Sequence, residues 1–240
     1  MKSTCAQERP DEVIAAAARL CYAESTEGLL DEGSPEDAAA LVRRLNAMGH
    51  HSPLEHASFT FYLEGVSRVL THQLVRHRIA SYSQRSQRYV AHDSFDYIVP
   101  PQLEGRTVEV DGEPVDAVDY FHQTMGTIAE HYAALNDALS RTGESSNEDA
   151  RYVLPNACET KIFVTMNARE LLHFFGERLC RRAQWEIREV ADLMLAAVLP
   201  VAPAALQNAG PKCVRLGGCP EGTMTCGRHA EMVGRYAEKH

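Results

Sequence analysis

The sharpest alternation of apolar and polar side chains runs from Phe59 to Glu64: Phe59, Phe61 and Leu63 fall on one side, Thr60, Tyr62 and Glu64 on the other. A period of two predicts a half-buried strand, which Gly65 is expected to halt. Residues 161–165 predict a second strand. Helical spacing governs most of the rest. Residues 11–22 carry an alanine-rich face, and Ser34-Pro35-Glu36-Asp37 has the form of a helix start that Gly49 closes. Ser67 can cap a further helix, with Val66, Val69 and Leu70 facing inward and Gln73, Arg76 and His77 sharing another face at i, i+3, i+4. Residues 79–92 predict a loop or broken segment, and 93–115, with Pro100, Pro101, Gly105, Gly112 and Pro114, an extended excursion or hairpin. A long helix is expected over 115–139, ended by Thr142-Gly143, then a short helix holding Arg151. Asn167-x-x-Glu170 resembles a capping box opening a helix that can run to Leu199. Arg178 interrupts that helix's stripe of Leu171, Phe174, Phe175 and Leu179, and an arginine on an apolar stripe needs a partner.

Composition narrows the class. At 240 residues, 45% apolar and 24% charged, the chain is long enough to bury a full core and ordinary for a globular protein. No apolar run approaches the roughly 18 residues of a membrane span, and the N-terminus lacks the apolar core of a signal peptide, so a cytoplasmic chain is expected. The seven cysteines are odd in number and show no C-x-x-C spacing, which argues for reduced thiols, a metal site or both. A net charge of -9 disfavours broad nucleic-acid binding. No linker interrupts the chain before about residue 205, so a domain over 1–205 with a Gly-, Pro- and Cys-containing tail over 206–240 is expected.

Against that acidic background, five arginines (Arg68, Arg76, Arg78, Arg85, Arg88) and no acid lie between Gly65 and His92. Guanidinium forks match phosphate two-pronged, so a local excess of them predicts a pocket for a phosphorylated small molecule. The competing reading is a solvated charge run pairing with acids from elsewhere. Neither G-x-G-x-x-G nor a P-loop occurs. His51-Ser-Pro-Leu-Glu55-His56 is one residue too long for the H-x-x-E-H zinc-hydrolase pattern, and Pro53 interrupts a helix through it.

Several pieces occur together in order: Ser52-Pro53-Leu54-Glu55-His56, Gln73-x-x-Arg76-His77-Arg78 with Ser86-x-Arg88-Tyr89 after seven residues, Ala150-Arg151-x-x-Leu154-Pro155, Asn167-Ala168-Arg169, Arg178, and Ala183-Gln184-Trp185-Glu186-Ile187. In these the chain, over about residues 10–205, resembles the flavin-dependent thymidylate synthases (ThyX). The resemblance implies an α+β single domain, an antiparallel sheet surrounded by long helices, in a homotetramer whose active sites form between subunits. It implies FAD, with NADPH as reductant and methylenetetrahydrofolate as carbon donor, converting dUMP to dTMP. It further implies flavin contacts from Ser58, Arg76, His77, Arg78, Gln84, Asn167, Ala168, Arg169 and His173, with His56 near the ring. Implied dUMP contacts are Gln73, Leu74, Val75, Arg76, Gln84, Arg85, Ser86, Gln87, Arg88, Arg151 and Arg178. Gln84, His173 and Arg182 stand where the family often has glutamate, asparagine and histidine.

The chemistry suits these residues. Uracil carbon 5 becomes nucleophilic when a thiolate adds at carbon 6 or when the ionised ring is stabilised. No Pro-Cys motif offers the thiolate, since Cys158 follows Ala157. Arg178, always cationic, is the candidate for stabilising the ring's charge, with a structural ion pair as its other reading. Ser86 reads as a hydrogen-bond donor to substrate or as a nucleophile, the latter needing an adjacent base. His77, between two arginines, is expected to be neutral. Cys213, Cys219 and Cys226, with Cys180 or His229 as a fourth ligand, can hold zinc or an iron–sulfur cluster, or remain ordinary reduced thiols. Rivals are another nucleotide-modifying flavoprotein and a non-catalytic module gripping a regulatory phosphate through Arg76, Arg78 and Arg88.

Overall fold

The structure, a computed structural model, describes residues 2–5, 8–24, 28, 33–90 and 93–237. The strands are β1 (Lys2–Cys5), β2 (Ser58–Ser67), β3 (Ala80–Gln84), β4 (Thr107–Val110), β5 (Glu113–Asp116) and β6 (Glu159–Asn167). The helices are α1 (Pro10–Leu20), α2 (Pro35–Met48), α3 (Arg68–Leu74), α4 (Ala117–Ala138) and α5 (Glu144–Ala150). They continue with α6 (Ala168–Arg178), α7 (Trp185–Val198), α8 (Pro203–Leu206), α9 (Lys212–Arg215) and α10 (His229–Ala237). The fold is thus mixed α and β, with one sheet ordered β1-β2-β6-β3 and a separate hairpin of β4 and β5. Contacts divide the chain into two units: Met1–Leu63, Gln73–Tyr82 and Phe163–His240 in the first, Glu64–His72 and Ser83–Ile162 in the second.

In the first unit, β1 runs antiparallel to β2, Lys2 opposite Tyr62 and Cys5 opposite Phe59. The expected alternation holds: Phe59, Phe61 and Leu63 are buried, and Val164 and Met166 of β6 are buried too. Helix α2 starts as its sequence dictates. The Ser34 hydroxyl accepts from Asp37 N, the Asp37 carboxylate accepts from Ser34 N, and Gly49 closes the helix at φ 74°. Residues 203–236 pack within this unit, where Tyr236 is fully buried and donates to Asp192 Oδ1 of α7 at 2.8 Å.

In the second unit the hairpin turns at Asp111 and Gly112, both at positive φ, the geometry that matches the twist of paired strands. Asp116 then caps α4, its carboxylate accepting from Val118 N and Asp119 N, so the helix starts two residues later than expected.

Four further expectations are corrected. Gly65 does not halt β2. Its φ of 67° is open to glycine, and Glu159 Oε1 accepts its N–H at 3.0 Å, so the strand continues to Ser67. Residues 80–84 form a strand although Ala-Ser-Tyr-Ser-Gln carries no apolar face; as the edge of the sheet it is made by backbone pairing. Helix α3, capped by Ser67 Oγ accepting from Leu70 N, stops at Leu74, which leaves Arg76 and His77 in the turn beyond it. The helix opened by Asn167 ends at Arg178, and a new one starts at Trp185. Gln184 Oε1 accepts from Glu186 N and Ile187 N, while Arg188 Nη1 donates to the Arg181 and Ala183 carbonyls, so side chains satisfy the break.

Candidate functional site

Helix α6 aims its last arginine. Asn167 Oδ1 accepts from Glu170 N at 2.9 Å, Leu171, Phe174, Phe175 and Leu179 are fully buried, and Arg178 sits half-buried at the end. The partner that Arg178 needs is His77: the guanidinium Nε–H donates to His77 Nε2 at 3.0 Å. Its Nη2 reaches the Gln73 carbonyl at 3.5 Å.

That bond fixes the histidine's state. Nε2 accepts, so the ring is neutral and its proton rests on Nδ1. Burial, then Arg178, then His173 hold His77 down at about 4, with Glu177 opposing. The expected neutrality is present, but its main cause is burial and not the flanking arginines. The ring packs edge-on against Phe174, 5.0 Å between centroids. Nδ1 lies 3.4 Å from Glu170 Oε1 without the alignment of a hydrogen bond. Glu170 therefore turns its carboxylate toward His77 and does not close a capping box; burial raises its pKa. His77, Glu170 and His173 bring ligand atoms within 4.8 Å of one another. A metal ion there would find Nε2 engaged and a fixed positive charge beside it, so the trio reads as a polar chain leading to Arg178.

The turn carrying His77 is clamped. The Tyr82 hydroxyl on β3 lies 2.8 Å from the Leu74 carbonyl oxygen and 2.7 Å from that of His77, sharing its proton between them. Gln73, Leu74 and Val75 lead into this turn, with Arg76, Arg78 and Val75 exposed and Leu74 buried. The expected flavin-contact segments also meet: Ala168 N donates to the Ala57 carbonyl at 2.8 Å, joining His56-Ala57-Ser58 to Asn167-Ala168-Arg169. Arg169 forms an ion pair with Glu55, and His56 and His173 are exposed. Residues Ser52–His56 form a short 3₁₀ turn, which leaves no helix for a zinc-hydrolase motif.

In the second unit Gln84 Nε2 donates to Thr71 Oγ1 at 3.0 Å and Thr160 Oγ1 at 3.3 Å. Arg88 pairs with Glu144 at 2.5 Å and Glu148 at 3.0 Å, while Arg151 Nε donates to the Glu148 carbonyl at 3.1 Å. Arg151, expected within a short helix, lies in the 3₁₀ turn just beyond α5, and it and Arg88 both engage Glu148. Gln87 is half-buried and Arg85 exposed. Ser86 Oγ accepts from Arg88 N at 3.1 Å, and among the described residues no histidine or acid activates it, so the nucleophile reading falls. Cys158 is fully buried and its thiol is pushed up to about 11 by burial, which leaves it inert at neutral pH.

Within the 68–88 segment, the solvated-charge reading holds for Arg88, which pairs with Glu144 and Glu148. Among the described residues, Arg76, Arg78, Arg85 and Arg178 have no carboxylate partner. Burial and neighbouring Arg76 both disfavour the charge on Arg178, against Glu177. Such a cation gains from an anionic ligand. A cavity of about 1390 Å³ elsewhere in the first unit is lined by Arg19, Arg44, His50, His51 and Arg169 among others, and by neither Arg178 nor the 73–78 turn. Sequence reasoning missed Glu170 as a neighbour of His77 and Tyr82 as a clamp; Tyr82 was visible only as an aromatic in a segment without pattern.

A profile of the family described as thymidylate synthase complementing protein matches residues 4–204. A flavin-dependent thymidylate synthase of Geobacter sulfurreducens is 49% identical over 243 residues, covering 99% of each chain. The chain belongs to the flavin-dependent thymidylate synthase family. Another such enzyme, of Clostridium tetani, is 48% identical over 231 residues, 95% of this chain and 92% of that one. The crystal structure of the UMP/dUMP methylase PolB from Streptomyces cacaoi bound with 5-Br dUMP is similar with a TM-score of 0.69 at 28% identity, covering 87% of this chain and 95% of that one. In this member of the family, Arg178 is held by a neutral histidine and has no salt-bridge partner among the described residues.

Proposed function

We propose that this protein is an FAD-dependent thymidylate synthase, which converts dUMP to dTMP by reductive methylation with methylenetetrahydrofolate as carbon donor and NADPH as reductant. The observation that carries this reading is Arg178, held by His77 at 3.0 Å beside Arg76 and without a carboxylate partner among the described residues. With one edge of its guanidinium engaged, Arg178 keeps Nη1 for uracil and stabilises negative charge on the ring, so that carbon 5 attacks the folate methylene. The inert Cys158 supports a route without a protein thiolate.

Gln73, Leu74, Val75, Arg76, Gln84, Arg85, Ser86, Gln87, Arg88 and Arg151 would hold dUMP, the arginines taking its phosphate. Arg88 would exchange Glu144 or Glu148 for that phosphate. The donor set also fits a flavin: Arg76 and Arg78 have no carboxylate partner among the described residues, and the chain segments around Ser58 and Ala168 are joined by the Ala57 carbonyl. Ser58, Arg76, His77, Arg78, Gln84, Asn167, Ala168, Arg169 and His173 would hold FAD, with His56 near its ring. FAD, when bound, supplies the hydride that completes the methyl group. A homotetramer with sites between subunits is supported by the sheet surface of the first unit, where the tilted rings of Tyr62 and Phe163 have centroids 5.0 Å apart and Phe163 stays 47% exposed. Cytoplasmic placement, without nucleic-acid or membrane partners, accords with the charge of -9 and with the lack, among the described residues, of a helix long and apolar enough to cross a membrane.

The similarity to a UMP/dUMP methylase favours one second reading, methylation of UMP. Tritium release from nucleotide labelled at uracil carbon 5, with FAD, NADPH and methylenetetrahydrofolate, separates them. Release from dUMP is expected; release from UMP alone would overturn the assignment. A colourless protein that cannot be reconstituted with FAD would instead point to a binding module.

A further inference from the structure

Four cysteines from separate stretches line one cavity of about 260 Å³: Cys180, just beyond α6, Cys213 on α9, and Cys219 and Cys226 on either side of the Gly222–Met224 turn. All four are free thiols. We infer that Cys180, Cys213, Cys219 and Cys226 form a four-thiolate site for a thiophilic metal, a zinc ion or an iron–sulfur cluster. Four sulfur ligands complete the coordination of either.

Charge supports the site. A metal bound among the four cysteines deprotonates its thiols outright. Four thiolates around a dication leave about two excess negative charges. The cavity wall offers Arg178, Arg181, Arg182 and Lys212 against only Glu177 and Glu221. Lys212 pairs with Glu177 and Arg182 with Glu221, while Arg181 lies 3.8 Å from Glu231. His229, the other candidate for the fourth position, does not line the cavity, although its Nε2 is buried without a hydrogen-bond partner.

The placement gives the metal a task. Cys180 follows Arg178 by two residues, so a filled site ties α9 and the turn before α10 to the helix end that aims the guanidinium. Binding free energy then becomes folding free energy of this region.

Elemental analysis of the full chain, purified reduced and without chelator, tests the site independently of activity and flavin content. The expected reading is about one equivalent of zinc per chain, or iron with acid-labile sulfide if a cluster is the occupant. Cys180→Ser and Cys219→Ser should each lower the bound metal roughly tenfold or more, while Cys21→Ser, on the exposed end of α1, keeps it. If the purified chain is metal-free, it is titrated with Zn²⁺ against a chromophoric chelator, where saturable uptake of one ion is expected. Less than about a tenth of an equivalent after that titration, or equal metal in the cysteine variants, overturns the site.

Discussion

The proposed chemistry of the first unit turns on one side chain, Arg178. Its Nε–H is spent on His77, which fixes the plane of the fork and leaves a charge that no acid neutralises among the described residues. Arg178→Ala is expected to lower kcat by about 100-fold or more while bound flavin is retained. Arg178→Lys should fail to restore it, because an ammonium lacks the planar fork that directs separate donors at His77 and at a ligand. Single-turnover rates on flavin-loaded protein read this, and wild-type turnover would refute the placement. His77 makes a second prediction. The unfolded imidazole titrates near 6.5 and the folded one near 4, so between those values the unfolded state binds more protons. Stability from this residue is complete above about 6.5 and is lost as the pH falls toward 4, by roughly 3 kcal/mol in all. Glu170, raised by burial, works in the opposite sense at the acid end. Urea midpoints should decline across that window in the parent protein and decline less in His77→Gln; parallel profiles would remove His77 as the cause.

At the scale of elements, the turn after α3 depends on a strand that follows it. The Tyr82 hydroxyl takes the carbonyls of Leu74 and His77, the groups a helix end leaves without partners. Tyr82→Phe strands those carbonyls and is expected to cost about 1–2 kcal/mol, read as a shift in denaturant midpoint. Here the sequence was only partly legible. The caps Ser34, Ser67, Asn167 and the closing Gly49 are local devices, each readable within four residues, and all four sit where the pattern puts them. Strand β3 and the break after Arg178 are not local. One is created by pairing with β6, the other by Gln184 and Arg188 satisfying groups several residues away.

At the scale of the whole molecule, the proposed tetramer would cover the sheet surface of Tyr62 and Phe163 and complete the site. Tetramer and turnover should therefore disappear together on dilution, followed by light scattering and rate at matched concentrations; a fully active monomer would exclude shared sites. Motif and composition by themselves determined the family, the cationic character of the 68–88 segment, the absence of a thiol nucleophile motif, and most helix and strand positions, because these rest on spacing and residue type. Only the tertiary structure decided which arginines have no carboxylate partner among the described residues, that His77 is neutral chiefly through burial, that Glu170 faces it, and that Cys180 joins the three tail cysteines. Those facts depend on which residues distant in sequence exclude water from one another, and pairing, desolvation and charge balance are set by that neighbourhood.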